Sequence, residues 1–408
     1  MTRRTPSVRR GRRVVPVAVV GALLLTACGG RSTRAADDVA RATPSSGPTA
    51  SPSSTAKGST TSTTRDTAPV TSELDRLVAA EGLDGAGLVV VDAVDGVVLE
   101  HYVGNIDARR VSLIASASKT ITAGVLSHLD DEGVLDLDAP VARYAEWGRA
   151  HPDITVAQLL SNSSGLKGLD DGPPYAPYLC QYLAAGTLQE CARTIFTTPA
   201  DDADVVPPDT EFRYGGAQWQ VAGAVAELAS GRSWAQLVED TFVRPCGLTS
   251  LAYNNHFAQM VSPEGVFSYP PQFKGDPATL TATRNPNMEG GAYVTAPDYA
   301  RLVLMQLRGG RCGATRVLSE SAVRRMQTDR IGPAYRGTTG SEPEGYGLGW
   351  WVDRDTRYVE DAGAYGAVPW IDLDRRYGAY LVVEHQSRDG AKLAAALRPR
   401  IETMLGRP

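Results

Sequence analysis

The sequence predicts a mixed α/β fold, with a sheet built from both ends of the folded region and a mostly helical segment inserted between them. Apolar, β-branched runs lie near the start of this region and recur near its end, whereas the stretch from Asp136 to about Cys246 has helical or loop-like patterns. Strands that are far apart in sequence can share one sheet. The two groups of strands are therefore expected to meet, with helices on their faces.

The N-terminus has the pattern of an export signal. Paired arginines between Arg3 and Arg13 precede an apolar run from Val14 to Leu25. A basic segment, about a dozen apolar residues and small residues after them are typical of a secretory signal peptide, here residues 1–27. The run is shorter than the roughly 20 apolar residues that span a membrane. The alternative is a short anchor that stays attached.

The segment Leu25-Thr26-Ala27-Cys28 resembles the lipobox of bacterial lipoproteins, in which the cysteine becomes the lipidated first residue. This resemblance implies that Cys28 carries lipid and anchors the protein to the outer face of the bacterial cell membrane. Residues 28–70 are rich in Ser, Thr, Pro, Ala and Gly and contain almost no large apolar side chain. Such a segment cannot bury enough surface to fold, so we expect a disordered tether before a folded domain at 71–408.

Composition narrows the possible partners. Of the 408 residues, 42% are hydrophobic and 21% are charged, as in an ordinary globular protein. Removal of the signal peptide takes away six arginines and no acidic residue, so the formal net charge moves from −5 to about −11. A net-acidic exported domain binds nucleic acid poorly, and contact with the membrane is expected through the lipid anchor alone.

Four further cysteines, Cys180, Cys191, Cys246 and Cys312, lie in the folded region. An even number of cysteines in an oxidising compartment suggests two disulfides. A Cys180–Cys191 bond would close a short loop and a Cys246–Cys312 bond a long one, but three pairings are possible. Unlinked buried thiols are the alternative.

The folded region opens with a predicted helix at Ser72–Ala80, which has a serine at its start. The runs Ala86–Ala93 and Val97–Val103 follow and are joined across Asp95-Gly96, a strong hairpin signal. Further helices are predicted at Thr155–Leu160, Ala217–Ala229, Pro297–Arg308 and Asp389–Leu405, and further strands at Leu348–Val352, Arg357–Glu360, Ala367–Leu373 and Tyr377–His385.

The stretch Ser116-Ala117-Ser118-Lys119 is the main candidate for catalysis. A serine and a lysine three residues apart share one helical face, so the amine can lie beside the hydroxyl and help to activate it. The same spacing occurs at Ser54/Lys57 in the tether and at Ser164/Lys167, which straddles a glycine in a turn. Only Ser116 immediately precedes a helical pattern. The alternative is that Ser116 only caps the helix and that Lys119 is solvated.

Motifs for other chemistries are missing from the sequence. It has no Gly-x-Ser-x-Gly elbow, no His-Glu-x-x-His or Cys-x-x-Cys metal spacing, and no lysine that follows a glycine as in a P-loop. The five histidines are scattered and fit structural roles better than metal binding. No metal or organic cofactor is expected.

Five groups of motifs occur in order at Ile114–Thr120 with Glu132–Asp138, Leu159–Leu166, Phe212–Gly216, Glu289–Asp298 and Tyr346–Trp350. Together they resemble, over roughly residues 72–405, the serine β-lactamase and penicillin-binding protein superfamily, and above all its class C β-lactamase-related branch of serine hydrolases. The resemblance implies a β-lactamase/transpeptidase-like fold. Its antiparallel sheet comes from both chain ends, its inserted domain is mostly helical, and the active site lies between them.

By that resemblance, Ser116 is the nucleophile that forms an acyl-enzyme, and Lys119 supports its charge and helps to shuttle its proton. Tyr214 would be the general base and then the acid for the leaving group. A phenol ordinarily titrates near pKa 10, so a neighbouring cation such as Lys119 would be needed to favour the phenolate. The backbone N–H groups of Ser116 and Ala364 would hold the oxyanion.

Two positions depart from the family pattern and concern substrate binding. Gly216 replaces an asparagine that usually orients substrate and lysine, and Asp361-Ala362-Gly363 stands where Lys-Thr-Gly or His-x-Gly is usual. Gly363 keeps the close backbone approach. A charged Asp361 would repel a substrate carboxylate by roughly 4 kcal/mol at about 4 Å. Neutral or cationic esters and amides are therefore expected to be better substrates than carboxylate-bearing β-lactams.

Two kinds of function follow from the sequence. The first is an exported serine hydrolase that cleaves an ester or amide bond in a small molecule or peptide. The second is a catalytically silent protein that binds cell-wall peptide or a protein partner, suggested by the departures at Gly216 and Asp361. The presence of Ser116, Lys119 and Tyr214 together favours the hydrolase, because a binding protein would not need all three.

Overall fold

The computed structural model describes residues 65–169, 175–198, 204–260, 273, 275–332, 336–337 and 344–407. The predicted signal peptide, Cys28 and most of the predicted tether lie outside these residues. The chain from Asp66 to Pro408 forms one compact unit. Within the described ranges, no helix has both the length and the apolar character needed to cross a bilayer.

The helices of the described residues are α1 (Ala68–Glu81), α2 (Ser118–Asp131), α3 (Val156–Leu160), α4 (Leu188–Thr197), α5 (Gly216–Ser230), α6 (Trp234–Val238), α7 (Arg244–Cys246), α8 (Ala296–Leu307), α9 (Glu320–Met326) and α10 (Ser387–Met404). The strands are β1 (Gly85–Asp92), β2 (Gly96–Gly104), β3 (Val111–Leu113), β4 (Glu211–Phe212), β5 (Ala252–Tyr253), β6 (Ala292–Thr295), β7 (Arg311–Cys312), β8 (Thr315–Arg316), β9 (Arg336–Gly337), β10 (Glu344–Tyr346), β11 (Trp351–Asp353), β12 (Tyr358–Glu360), β13 (Ala367–Asp372) and β14 (Tyr377–Val382).

The main sheet joins the first and last strands of the domain, as predicted. In the part of the chain that the structure describes, seven strands form it in the order β10-β11-β12-β13-β14-β1-β2. Each neighbouring pair is antiparallel, and β1 pairs with β14 so that Leu88 lies opposite Leu381. The hairpin of β1 and β2 turns at the predicted Asp95-Gly96.

Helices cover both faces of this sheet. Every residue of β1, β13 and β14 is buried, which requires packing on each side. Side chains alternate along a strand, so Leu88 and Val90 pack with α1 and α10 on one face, while Val89 and Val91 join the core that contains α2 and α8 on the other. Helix α2, which follows Ser116, therefore lies inside the larger core.

A small second sheet contains β3, the strand that directly precedes the Ser116 turn and α2. Its strands lie in the order β3-β6-β5, and Leu113 pairs with Tyr293. Directly after β3, the N–H of Ile114 donates to the carbonyl of Ala292 at 3.3 Å. This pairing fixes the backbone two residues before Ser116.

Two predicted boundaries are wrong. Helix α1 begins at Ala68 rather than at Ser72, inside the segment assigned to the tether, because Pro69 suits a first helical turn and Val70 is fully buried. The predicted strand Leu348–Val352 is not continuous. Gly349 adopts a φ of 80°, and the chain turns there between β10 and β11.

Both pairs of cysteines in the folded region are disulfide-bonded. Cys180 is linked to Cys191, and Cys246 is linked to Cys312. Of the three possible pairings, the structure has the one with a short loop and a long loop. The first bond ties the segment before α4 to that helix, and the second ties α7 to β7.

Candidate active site

Ser116 lies in a tight turn, Ala115–Ala117, immediately before α2. Ala115 has a φ of 47°, in the left-handed region that non-glycine residues seldom adopt and that is often found at functional sites. The hydroxyl of Ser118 donates to the Ala115 carbonyl at 2.6 Å and accepts from the N–H of Ala292 at 3.0 Å. These bonds hold the half-buried Ser116 at the entrance of the helix, where the first N–H groups have no helical acceptor.

Lys119 lies one turn further along α2 and is fully buried. Its Nζ donates to Ser116 Oγ at 3.0 Å and lies 4.5 Å from the centroid of the Tyr214 ring. The same Nζ is 3.4 Å from Oε2 of Glu289. The structure therefore brings the three residues expected to be catalytic into one cluster, and it adds a carboxylate that sequence reasoning missed.

Tyr214 stands in the short connection between β4 and α5. Its ring stacks on Trp351, with 5.5 Å between ring centroids and 26° between ring planes. Behind it, the Asn162 side-chain oxygen accepts hydrogen bonds from Gln218 Nε2 at 2.9 Å and from Trp219 Nε1 at 3.1 Å. The motif Leu159–Leu166 therefore supports the segment that carries Tyr214.

Replacement of Asn162 by alanine should lower the free energy of unfolding by about 1–3 kcal/mol, because buried donors of Gln218 and Trp219 would lose an acceptor. Asn162 also has a φ of 54°, which alanine tolerates less well. Urea denaturation measures the change. Replacement of the exposed Gln259 by alanine is the control and should change stability by less than about 0.5 kcal/mol. Equal, small effects for both variants would contradict this supporting role.

The protonation of the cluster follows from burial and charge. Burial alone would lower the pKa of Lys119, but Tyr214, Glu289 and Asp361 around its ammonium group together raise that pKa above its usual value. Burial also raises the pKa of Tyr214, although Lys119 opposes the shift. At neutral pH the lysine is therefore charged and the tyrosine is a neutral phenol. The expected phenolate is not favoured, because burial outweighs the effect of Lys119.

Asp361 is not exposed to solvent at the site. It directly follows β12 and is fully buried, and within the described residues no side chain donates a hydrogen bond to its carboxyl oxygens. Burial raises the pKa of Asp361 well above its usual value, despite the nearby Lys119. Burial therefore favours the uncharged form of this carboxyl group. Because Asp361 is not exposed at the site, the structure gives no support to the expected repulsion of a substrate carboxylate, and the substrate preference drawn from it stays a prediction.

Gly363 makes the close approach that the sequence suggested. Its N–H donates to the Ala367 carbonyl at 2.7 Å, and a Cβ at this position would lie 2.0 Å from the Ile114 carbonyl oxygen. Only glycine therefore lets this turn lie against the turn that holds Ser116. Ala364, the next residue, is exposed beside the turn that holds Ser116.

Gly216 likewise lies against other side chains of the protein. A Cβ on Gly216 would lie 2.2 Å from Oε1 of Glu289 and 2.3 Å from Oε1 of Gln181. Those two side chains fill the space that a residue other than glycine would occupy. The one sequence feature that could have indicated a role for Glu289 is its position, since it directly precedes the glycine pair of the fourth motif.

Within the described ranges, no group of three or more His, Cys, Asp and Glu side chains is placed to hold a metal ion. The antiparallel sheet from both chain ends, the helical insertion and the Ser–Lys–Tyr cluster between them define the β-lactamase/transpeptidase-like class of folds. The chain belongs to the Beta-lactamase family, whose model matches residues 74–400.

Individual relatives are distant. Penicillin-binding protein 4 of Amycolatopsis lactamdurans is 27% identical over 248 residues, which are 58% of this chain and 60% of that protein. The D-alanyl-D-alanine-carboxypeptidase/endopeptidase AmpH of Escherichia coli is 26% identical over 193 residues, or 44% of this chain and 48% of that protein. The matched region thus spans about half to three fifths of these relatives.

A solved structure supports the fold. The crystal structure of a putative β-lactamase from Bacteroides dorei superimposes with a TM-score of 0.65 at 24% identity, covering 84% of this chain and 99% of that one. At this identity the similarity establishes the architecture, while the chemistry must be argued from the residues of the site.

Proposed function

We propose that this protein is a serine hydrolase that cleaves an ester or amide bond in a small molecule or peptide through an acyl-enzyme on Ser116. The 3.0 Å hydrogen bond from Lys119 Nζ to Ser116 Oγ carries the proposal, because it links a buried amine to the hydroxyl of a half-buried serine. The relatives named as a penicillin-binding protein and as a carboxypeptidase/endopeptidase support acyl transfer from amide-like substrates.

The proposed reaction uses the cluster twice. Ser116 Oγ attacks the acyl carbon, and its proton passes to the Lys119–Tyr214 pair. The N–H groups of Ser116 and Ala364 stabilise the oxyanion of the tetrahedral intermediate. The intermediate then collapses, the bond to the leaving group breaks, and Tyr214 supplies the proton that this group takes. Water next attacks the acyl-enzyme by the same route and releases the acid.

The proposal predicts an alkaline rise in activity. The pKa values of Lys119 and Tyr214 are both raised, so the pair lacks a vacant proton site at pH 7 and gains one only as the pH increases. Below the apparent pKa of the pair, the rate of nucleophilic attack by Ser116 should increase by about tenfold per pH unit. Stopped labelling reactions with a fluorophosphonate between pH 6 and 10 measure this rate. A rate that stays flat across this range would contradict the assigned proton transfer.

The test of the function is covalent labelling of the purified domain. A fluorophosphonate and a fluorescent penicillin should each be tried, and mass spectrometry should locate the adduct on Ser116. Replacement of Ser116 by alanine should abolish the adduct. Folded protein that neither probe labels would favour the catalytically silent binder of cell-wall peptide or protein.

We further propose that the protein is exported and held at the membrane through lipid on Cys28, which rests on the lipobox-like segment alone. Radiolabelled palmitate fed to cells that express the full chain should be incorporated, and the Cys28→Ala variant should lose the label and appear in the soluble exported fraction. Membrane retention of that variant without lipid would instead indicate an uncleaved N-terminal anchor.

A further inference from the structure

We propose that Glu289 is a positioning residue, which holds Lys119 against Ser116 from the space that Gly216 leaves open. This inference rests on the proposed function, because it assigns a role within the same site. Glu289 is not one of the three residues, Ser116, Lys119 and Tyr214, that the sequence predicts to be catalytic.

The first support is the ion pair itself. Glu289 Oε2 lies 3.4 Å from Lys119 Nζ, and the backbone carbonyl of Glu289 accepts from the same Nζ, also at 3.4 Å. The lysine side chain is 0% exposed and the glutamate side chain 8%. A buried ammonium group needs a counter-charge close by. Among the described residues, Glu289 supplies the one carboxylate within 4.0 Å of Nζ.

The second support is steric. Helix α5 begins at Gly216, and any Cβ there would overlap Glu289 Oε1 at 2.2 Å. A side chain at position 216 and the present place of the Glu289 carboxylate are therefore mutually exclusive. The absence of a side chain at Gly216 therefore allows Glu289 to reach Lys119. Glu289 lies directly before the glycine pair that leads to β6.

The third support concerns the surroundings of the carboxylate. Burial first, and then the negative charge of Glu289, raise the pKa of Tyr182 above its ordinary value, so a protonated phenol lies near the glutamate at neutral pH. The backbone next to the glutamate is fixed as well, because the N–H of Gly290 donates to Asn287 Oδ1 at 2.7 Å.

The decisive variant is Glu289→Gln, which keeps the shape and removes the charge. Its maximal rate of Ser116 labelling should fall at least tenfold, and the alkaline rise in labelling should move to lower pH by about one unit or more. Glu384→Gln is the matched control, because Glu384 is equally buried and pairs with Arg110 at 2.8 Å rather than with Lys119. It should leave the pH profile in place. A Glu289→Gln rate within about twofold of the natural protein, with an unmoved profile, would overturn the proposal.

A double-mutant cycle tests the exchange of space. Gly216→Asn alone should lose most Ser116 labelling, because its side chain displaces the Glu289 carboxylate from its present position beside Lys119. Adding Glu289→Gln to Gly216→Asn should then lower labelling by less than about threefold, against at least tenfold in the natural background. A tenfold loss in both backgrounds would count against the proposal.

A readout without activity separates this inference from the proposed function. Glu289 is one of the groups, after Tyr214, that raise the pKa of Lys119, so its contribution to stability is fully present below the ordinary pKa of a lysine and is lost only at higher pH. In Glu289→Gln, the buried ammonium group loses this counter-charge, and the melting temperature at pH 7 should fall clearly below that of the natural protein. An unchanged melting temperature at pH 7 would overturn the pairing. If neither probe labels Ser116, the proposed function fails while this comparison still stands.

Discussion

Replacement of Lys119 by alanine should slow the acylation of Ser116 by about 10²–10⁴-fold, the usual contribution of a positioned acid–base group. The variant would remove the only amine in hydrogen-bond contact with Ser116 Oγ among the described residues. It would also leave the Glu289 carboxylate without its charged partner. The time course of fluorophosphonate labelling, followed at a temperature where circular dichroism shows folded protein, measures the effect.

The chain provides its own control for this experiment. Ser164 and Lys167 have the same spacing as Ser116 and Lys119, but the Ser164 hydroxyl donates to Gln218 Oε1 at 2.6 Å, and Lys167 Nζ lies 5.5 Å from the Tyr175 ring. Lys167→Ala should therefore label within about threefold of the natural protein. Similar losses in both lysine variants would show that the effect is not specific to the proposed pair.

The second large effect is expected at Gly363. A methyl group there would lie 2.0 Å from the Ile114 carbonyl oxygen, so the two turns would have to separate. Ala364 would then move away from Ser116, and the loss of one oxyanion donor typically costs about 10²–10³ in rate. Labelling of the Gly363→Ala variant should fall by this amount, and overpacking should lower its free energy of unfolding by about 1–3 kcal/mol.

The control for Gly363→Ala is Ala364→Ser, which changes an exposed side chain and retains the backbone N–H. This variant should keep the labelling rate within a few-fold. Normal labelling of Gly363→Ala would contradict the proposed role of the Ala364 N–H in the oxyanion site, because the shift of the backbone would have had no effect on the rate.

The architecture and the central cluster could be predicted because they depend on local patterns. The hairpin at Asp95-Gly96, the capped helix after Thr155 and the helix after Ser116 each follow from neighbouring residues, and the order of motifs then places Tyr214 near Lys119. The structure confirms the elements and the proximity. The start of α1 at Ala68 could not be predicted, because Val70 is a single apolar residue that directly follows a segment rich in Ser and Thr.

The protonation states could not be predicted, because they depend on contacts between distant parts of the chain. Asp361 was expected at the substrate surface, yet its sequence position does not reveal that α2 and the strand end bury it. Likewise, the 170-residue separation between Lys119 and Glu289 gives no local pattern that would link them. Burial and pairing of this kind become visible only when the backbone is folded.

The disulfide between Cys180 and Cys191 has a consequence for how the protein must be prepared. The two residues that follow Cys180 are Gln181 and Tyr182, whose side chains lie against Glu289. The disulfide therefore ties the segment that carries these two neighbours of Glu289 to helix α4. Protein made in a reducing cytoplasm would lack this covalent tie next to the site. Production in an oxidising compartment is the appropriate source for every assay.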